Sequence, residues 1–266
     1  MKHLNLLGFF FYALLAYGQL PTVNPIGAGM AQATVAMQGP AALFANPAGL
    51  HERTGLTIAA AAEQRFLLSE LQSVAMAVGL PTKSGNFAFS AQSFGYEGFR
   101  QQKLGLSYTR KFWESLAVGV RFNYFQTRIP DYGNRGLLSF EVGMQANISK
   151  TLVIGAQAVN PAQVELVAGE NLPSILLLGL RWQTSAKLFL CSELEKDLDQ
   201  KLRWKNGLAY QPIEPLRLRV GYATEPSMLF FGVGYAFGTG FQADTAGSFH
   251  QTLGFSPSAG LAWVKQ

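Results

Sequence analysis

The chain has 266 residues, of which 48% are hydrophobic and only 14% charged, with a formal net charge of +5. No uninterrupted apolar run of about eighteen residues occurs beyond its N-terminal stretch, which excludes helical membrane spans downstream. A single cysteine, Cys191, rules out an intramolecular disulfide; His51 and His250 are the only histidines after His3, so no cluster has metal-ligand spacing; and Lys and Arg are scattered singly, which argues against a nucleic-acid surface.

The N-terminus reads as a secretory signal peptide over residues 1–18. Lys2 and His3 are basic, Leu6 to Tyr17 is apolar, and Ala16-Tyr17-Gly18 offers a small-x-small cleavage site before Gln19. The apolar run is too short to span a bilayer comfortably, and no cysteine follows it to accept a lipid.

Residues 19–55 match neither the leader before them nor the strand-like segments after them. Ile26 to Leu50 carries no charge; Gly27, Gly29 and several alanines make a small-residue face, and Asn46-Pro47 with Gly49 supply turn chemistry after a short helix expected over Ala41 to Ala45. Such a segment fits inside something narrow. Its Gly-x-Gly-Met-Ala opening (Gly27, Gly29, Met30), its Ala-rich middle reaching Phe44, and its Asn-Pro-Ala-Gly-Leu ending (Asn46, Pro47, Gly49) resemble the N-terminal hatch of FadL-like and PorV/PorQ-like outer-membrane barrels. The resemblance implies a plug inside a lumen. One departure is that Met37-Gln38-Gly39-Pro40 is neutral where that family commonly has an acidic turn.

From Leu56 onward the apolar residues alternate at period two. Leu116, Val118, Val120, Phe122 and Tyr124 share one face, with Ala117, Gly119, Arg121 and Asn123 on the other; the split recurs at Leu137 to Ile148 and Leu216 to Tyr222. About fourteen such segments fit between residues 56 and 256. Short connections (Pro81 to Asn86, Phe112 to Ser115, Ser149-Lys150, Gln183 to Ser185, Gln211 to Pro215, Gly238 to Gly240) alternate with longer ones (Gln64 to Glu70, Gly95 to Gln102, Thr127 to Arg135, Asn160 to Pro173). An even strand count with alternating turn lengths predicts an all-β antiparallel transmembrane β-barrel, about 14 strands, in the outer membrane of a Gram-negative bacterium. Trp182, Trp204, Tyr210, Tyr222, Tyr235 and Phe237, near segment ends, supply interfacial girdles.

Gly240 to Ala246 and Ser248 to Phe255 resemble the last two strands of PorV/PorQ-like proteins, in which an acidic residue precedes an Ala turn and a histidine opens the closing strand. Residues 257–266 then read as a C-terminal tail.

Lumen-facing charges are the main functional candidates: Arg121, Arg181, Arg203, Lys205, Arg217 and Arg219, with Lys103 and Lys187, against Glu63, Glu141, Glu193 and Glu195. Pairing among themselves and with plug carbonyls is the simpler role; guiding anionic head groups is the other. An outer-membrane lipid hydrolase is a remote alternative, since Ser248 and His250 share a strand face; but they stand about 7 Å apart and no Gly-x-Ser-x-Gly elbow exists, so no catalytic residue is assigned. Gly27-Ala28-Gly29 lacks the lysine and the strand-loop-helix setting of a phosphate site, and no cofactor is expected. Two non-enzymatic functions are implied by the resemblance. The first is an accessory of type IX protein secretion, holding secretion-system proteins or secreted substrates through external loops. The alternative is a FadL-like passive transporter of a hydrophobic small molecule, with a lateral opening at Gly95 and Gly98. Outer-membrane lipid is a partner in both.

Overall fold

The computed structural model describes residues 23–52, 55–130, 133–167 and 170–265. The leader expected at 1–18, like residues 19–22 of the plug segment, lies outside them. In chain order the strands are Thr57–Gln64 (β1), Gln72–Thr82 (β2), Gly85–Tyr96 (β3), Phe99–Lys111 (β4), Leu116–Ile129 (β5), Gly133–Asn147 (β6), Leu152–Val159 (β7), Glu165–Val167 (β8), Glu170–Asn171 (β9), Ile175–Ser185 (β10), Leu188–Asp197 (β11), Arg203–Ile213 (β12), Leu216–Ala223 (β13), Met228–Phe237 (β14), Phe241–His250 (β15) and Gly254–Val264 (β16). All except β8 and β9, which form a hairpin within the β7–β10 connection, join one closed antiparallel barrel of 14 strands in which β1 pairs with both β2 and β16. Closure leaves no strand edge with unsatisfied backbone groups.

Alternation decides which side chain faces where. In β5, Ala117, Arg121, Asn123 and Phe125 are buried in the lumen while Phe122 and Tyr124 are exposed on the outside. The outer wall is apolar around the barrel, with Met76, Phe89, Leu106, Leu138, Leu178, Val220 and Phe231 among its exposed residues. A continuous surface of this kind is stable only against hydrocarbon. All six aromatics expected in the girdles are exposed outward.

Three features depart from the sequence reading. The stretch expected to be a tail after residue 256 is most of the closing strand: Thr57 to Glu63 pair with Val264 back to Ser258. His250 therefore ends β15 and does not open the last strand. Its turn, with Gly254 at φ +89, passes to a strand whose small residues were hard to distinguish from coil. Second, the connections expected to be long at Gly95 to Gln102 and Thr127 to Arg135 shrink to 97–98 and 130–132, because polar residues at the strand ends continue the ladders. Third, β3 continues past the expected interruption on one side: it pairs with β4 through Gly95–Arg100 and Tyr96–Phe99, while its ladder with β2 ends at Phe94. Gly95, at φ +101, is the β3 residue opposite Arg100, and Gly98 lies in the two-residue turn that follows β3.

Candidate functional site: the plugged lumen

Residues 23–52 lie inside the barrel and are almost entirely buried. The segment is a chain of tight turns. Pro25–Ala28 (α1) is a single helical turn whose N-cap, Asn24, accepts from the Gly27 amide at 3.2 Å and donates from its own amide to the Ala41 carbonyl at 3.2 Å. The short helix expected over Ala41 to Ala45 starts earlier, as a 3₁₀ turn over Gly39–Leu43 with Pro40 in its first turn. A second 3₁₀ turn, Pro47–Glu52, follows Asn46.

The wall receives the plug on three directly opposed pairs of lumenal glycines. Gly119 faces Gly143, Gly155 faces Gly179, and Gly207 faces Gly221 across their ladders. A methyl group at Gly119 would run into the peptide joining Pro47 and Ala48, at Gly143 into Asn46, at Gly155 into Val35 and Ala36, and at Gly207 or Gly221 into Met30. Glycine is needed because two backbones meet there. Within the plug, Gly29 abuts Gly232 and Arg219, and Gly49 abuts the Met37 carbonyl and Gln145. Met30 is fully buried among Ala33, Met37, Ala41, Cys191 and Ala209. Phe44 is partly buried against Leu43, Leu50 and the alanines of β1 and β2.

Side chains of the wall satisfy the plug's carbonyls. Gln145 donates to the carbonyls of Val35 at 2.9 Å and Met37 at 3.0 Å, and Thr109 to that of Pro47 at 2.5 Å. Asn46 works in the opposite direction. Its amide nitrogen lies 2.8 Å from the Val35 carbonyl and 3.2 Å from those of Met144 and Ala156, while its oxygen accepts from the Ala48 amide at 3.0 Å.

Among the described residues, three groups of charges hold the plug or the lumen wall, and Glu63 pairs separately with Arg65 at 3.3 Å. Glu141 accepts from Lys103 at 3.1 Å, Arg121 at 3.2 Å, Asn123 at 2.8 Å and Gln157 at 2.9 Å, and Arg121 also donates to the Leu43 carbonyl of the plug at 3.1 Å. Glu193 pairs closely with Lys205 and accepts from the Val35 amide at 2.7 Å; Lys205 reaches Glu195 at 2.8 Å and the Gln32 carbonyl at 3.2 Å, and Arg203 lies 3.8 Å from Glu195. Arg219 pairs with Asp244 at 2.6 Å. Sequence reasoning missed Asp244, although its lumenal parity in β15 was a usable signal. Arg181 and Arg217 join none of these groups. Arg181 stacks 4.7 Å over Phe189 and donates to Gln183, and Arg217 is exposed beside Gln211. Lys187, expected in the lumen, lies in the 186–187 turn and donates to the Pro212 carbonyl.

At the end opposite the short turns, the two ends of the 160–174 connection are buried at Asn160, Leu172 and Ser174. Asn160 holds it by donating to the Leu172 carbonyl at 2.8 Å and accepting from Ser139 at 3.0 Å and the Val164 amide at 3.1 Å. Leu172 is thereby buried on Phe125, with Phe94 and Leu137 alongside. This apolar mouth was not read from the sequence; the signal was Asn160-Pro161, a turn that fixes how the loop departs.

No family model and no curated protein matches the sequence. Among solved structures, the Ralstonia pickettii toluene transporter TbuX superimposes with a TM-score of 0.69 at 14% identity, over 91% of this chain and 98% of that one. The CymD monoaromatic hydrocarbon channel gives 0.71 at 13%, over 94% and 99%, and a Pseudomonas aeruginosa FadL homologue 0.63 at 12%, over 94% and 98%. This chain has the fold of those channels. At such identities the likeness is one of architecture, so what the lumen does is argued from its own residues.

Those residues pack the plug against the wall, and among the described residues the one serine–histidine pair on a shared lumenal face is taken up by a turn. Ser248 and His250 both face the lumen, but His250 Nδ1 accepts from the amides of Thr252 and Leu253 at 3.1 Å each, and its ring meets Phe66 edge-on at 6.1 Å. The imidazole thus caps the β15–β16 turn. Among the described residues, no hydrogen bond joins it to Ser248.

Proposed function

We propose that this protein is a plugged channel of a Gram-negative outer membrane that passively admits a small hydrophobic molecule. The apolar cluster at the mouth carries this reading: half-buried Phe94 and Leu137 pack over buried Phe125 and Leu172 above a lumen whose deeper wall is polar and charged, so a hydrophobic molecule meets apolar side chains first. A hydrophobic molecule gains by leaving water there, whereas a polar solute finds no such surface and a path blocked by residues 23–52. The fold shared with hydrocarbon channels supports the same direction. Passage requires the plug to yield locally, since residues 23–52 fill the lumen.

A secretion accessory is the weaker reading. It needs external loops free to hold partners, yet most connections at that end are short, and the longest, 160–174, is tied down at both ends through Asn160, Leu172 and Ser174. An uncharged aromatic hydrocarbon should equilibrate faster into proteoliposomes containing the protein than into empty vesicles. Leu172→Asp should slow it while leaving the barrel folded. Unchanged uptake in that variant, or co-purification of stoichiometric protein partners with no apolar ligand, would overturn the proposal.

A further inference from the structure

On the outer wall, Arg100 and Arg128 are directly opposed in the β4–β5 ladder, and both are exposed. They share the outward parity of Leu104 and Tyr124, so neither points into the lumen. Like charges in register repel, and among the described residues neither arginine has a carboxylate within ion-pair distance. The sheet thus holds two guanidinium groups side by side at the rim of the membrane band, with no carboxylate partner among the described residues.

The polarity below them changes in steps. Gln102 is opposed to Gln126 in the next outward row, and Leu104 to Tyr124 in the one after. On the adjoining strands, Ser93 lies beside Gln102, and Ala91 lies between Leu104 and Met76. Because Ala91 and Ser93 are small while Met76 is 63% and Leu104 44% exposed, a groove of about 240 Å³ opens on this face, with Ala91 and Ser93 in its lining. From rim to depth the surface thus presents cations, amides and then hydrocarbon.

We infer that this face of β3, β4 and β5 is a docking site for a phosphorylated lipid of the surrounding leaflet, its phosphate between Arg100 and Arg128 and part of one acyl chain in the groove over Ala91. Charge and shape point to the same occupant. A phosphate offers several acceptor oxygens and more than one negative charge, matching two guanidinium forks better than a single carboxylate does. The site lies at the barrel end with the longer connections, which faces outward in barrels of this kind, so the lipid is one of the outer leaflet. The inference concerns the outer wall and does not depend on what crosses the lumen.

The test uses the folded full-length protein in detergent, incubated with diphosphorylated lipid A, with zwitterionic phosphatidylcholine as reference, and read by native mass spectrometry. Lipid A should be retained in preference to phosphatidylcholine. Each of Arg100→Gln and Arg128→Gln should weaken retention roughly fivefold. Ala91→Leu, which fills the groove and leaves both arginines in place, should also weaken it. Heat-shifted electrophoretic mobility reports whether each variant remains a barrel. Equal retention by the double arginine variant would overturn the site. So would undiminished retention by Ala91→Leu, or displacement of the lipid by inorganic phosphate at equal concentration, which would mark a bare anion contact with no role for the chain.

Discussion

Gly155 and Gly179 stand opposite each other in the β7–β10 ladder, and Val35 of the plug occupies the space that side chains at either position would fill. With Gly119–Gly143 and Gly207–Gly221 they make the wall a mould for residues 23–52. Gly155→Leu should expel that part of the plug at a cost of about 1 to 3 kcal/mol from overpacking, with the barrel still closed. In planar bilayers the wild type should conduct poorly and the variant more; equal conductance with retained folding would refute the seat.

Asn46 joins Val35 of the plug to β6 and β7 through its single side chain. Asn46→Ala strands buried carbonyls and should cost about 1 to 3 kcal/mol. The urea midpoint should fall and the plug should become cleavable by protease before the barrel does.

Glu141 is buried and gathers Lys103 and Arg121. Glu141→Gln leaves both cations without a counter-charge, which should destabilise the barrel by about 3 to 5 kcal/mol. Adding Arg121→Met should restore part of the loss. Urea titrations of the single and double variants measure the recovery, and strict additivity would mean that the two residues act independently.

The C-terminal stretch offers a direct test of closure. Deleting 257–266 removes the partner of β1 from Ser258 onward. No heat-shifted folded band should form. A folded, detergent-stable barrel after this deletion would contradict the β1–β16 pairing.

On the outer wall, Val120 lies within the apolar band on the face of Phe122 and Tyr124. Val120→Arg should cost about 2 to 4 kcal/mol if that position sits near the bilayer midplane. Refolding into lipid vesicles with urea titration gives the value; a cost near zero would place Val120 outside the hydrocarbon.

The alternation around Val118 to Tyr124 together with the even strand count and alternating turn lengths was enough to read an antiparallel barrel from the chain, because a period of two assigns every residue of a strand to one face and turn lengths distinguish a barrel from a sandwich. The same parity assigned Arg121, Glu141, Glu193, Lys205 and Arg219 to the lumen. It failed at places where local chemistry is ambiguous. Gly95 and Gly98 look alike as a strand break or a hairpin tip, and only the unbroken pairing with Phe99 separates the two. Lys187 and Arg217 were placed inside by parity near strand ends, where the ladder gives way to a turn or the side chain reaches water.

The sequence by itself determined the class of structure and the neutrality of the plug, since both are set by properties that each residue carries alone: polarity, size and spacing. It also marked residues 26–50 as unlike the strands. Only the tertiary structure decided which glycines seat which part of the plug, that Asp244 completes Arg219, that Leu172 returns to the mouth through Asn160, and that Arg100 stands beside Arg128. Those are relations between residues far apart in the chain or in different strands. They depend on the register of each ladder, which turn length and the buried face of each strand set together.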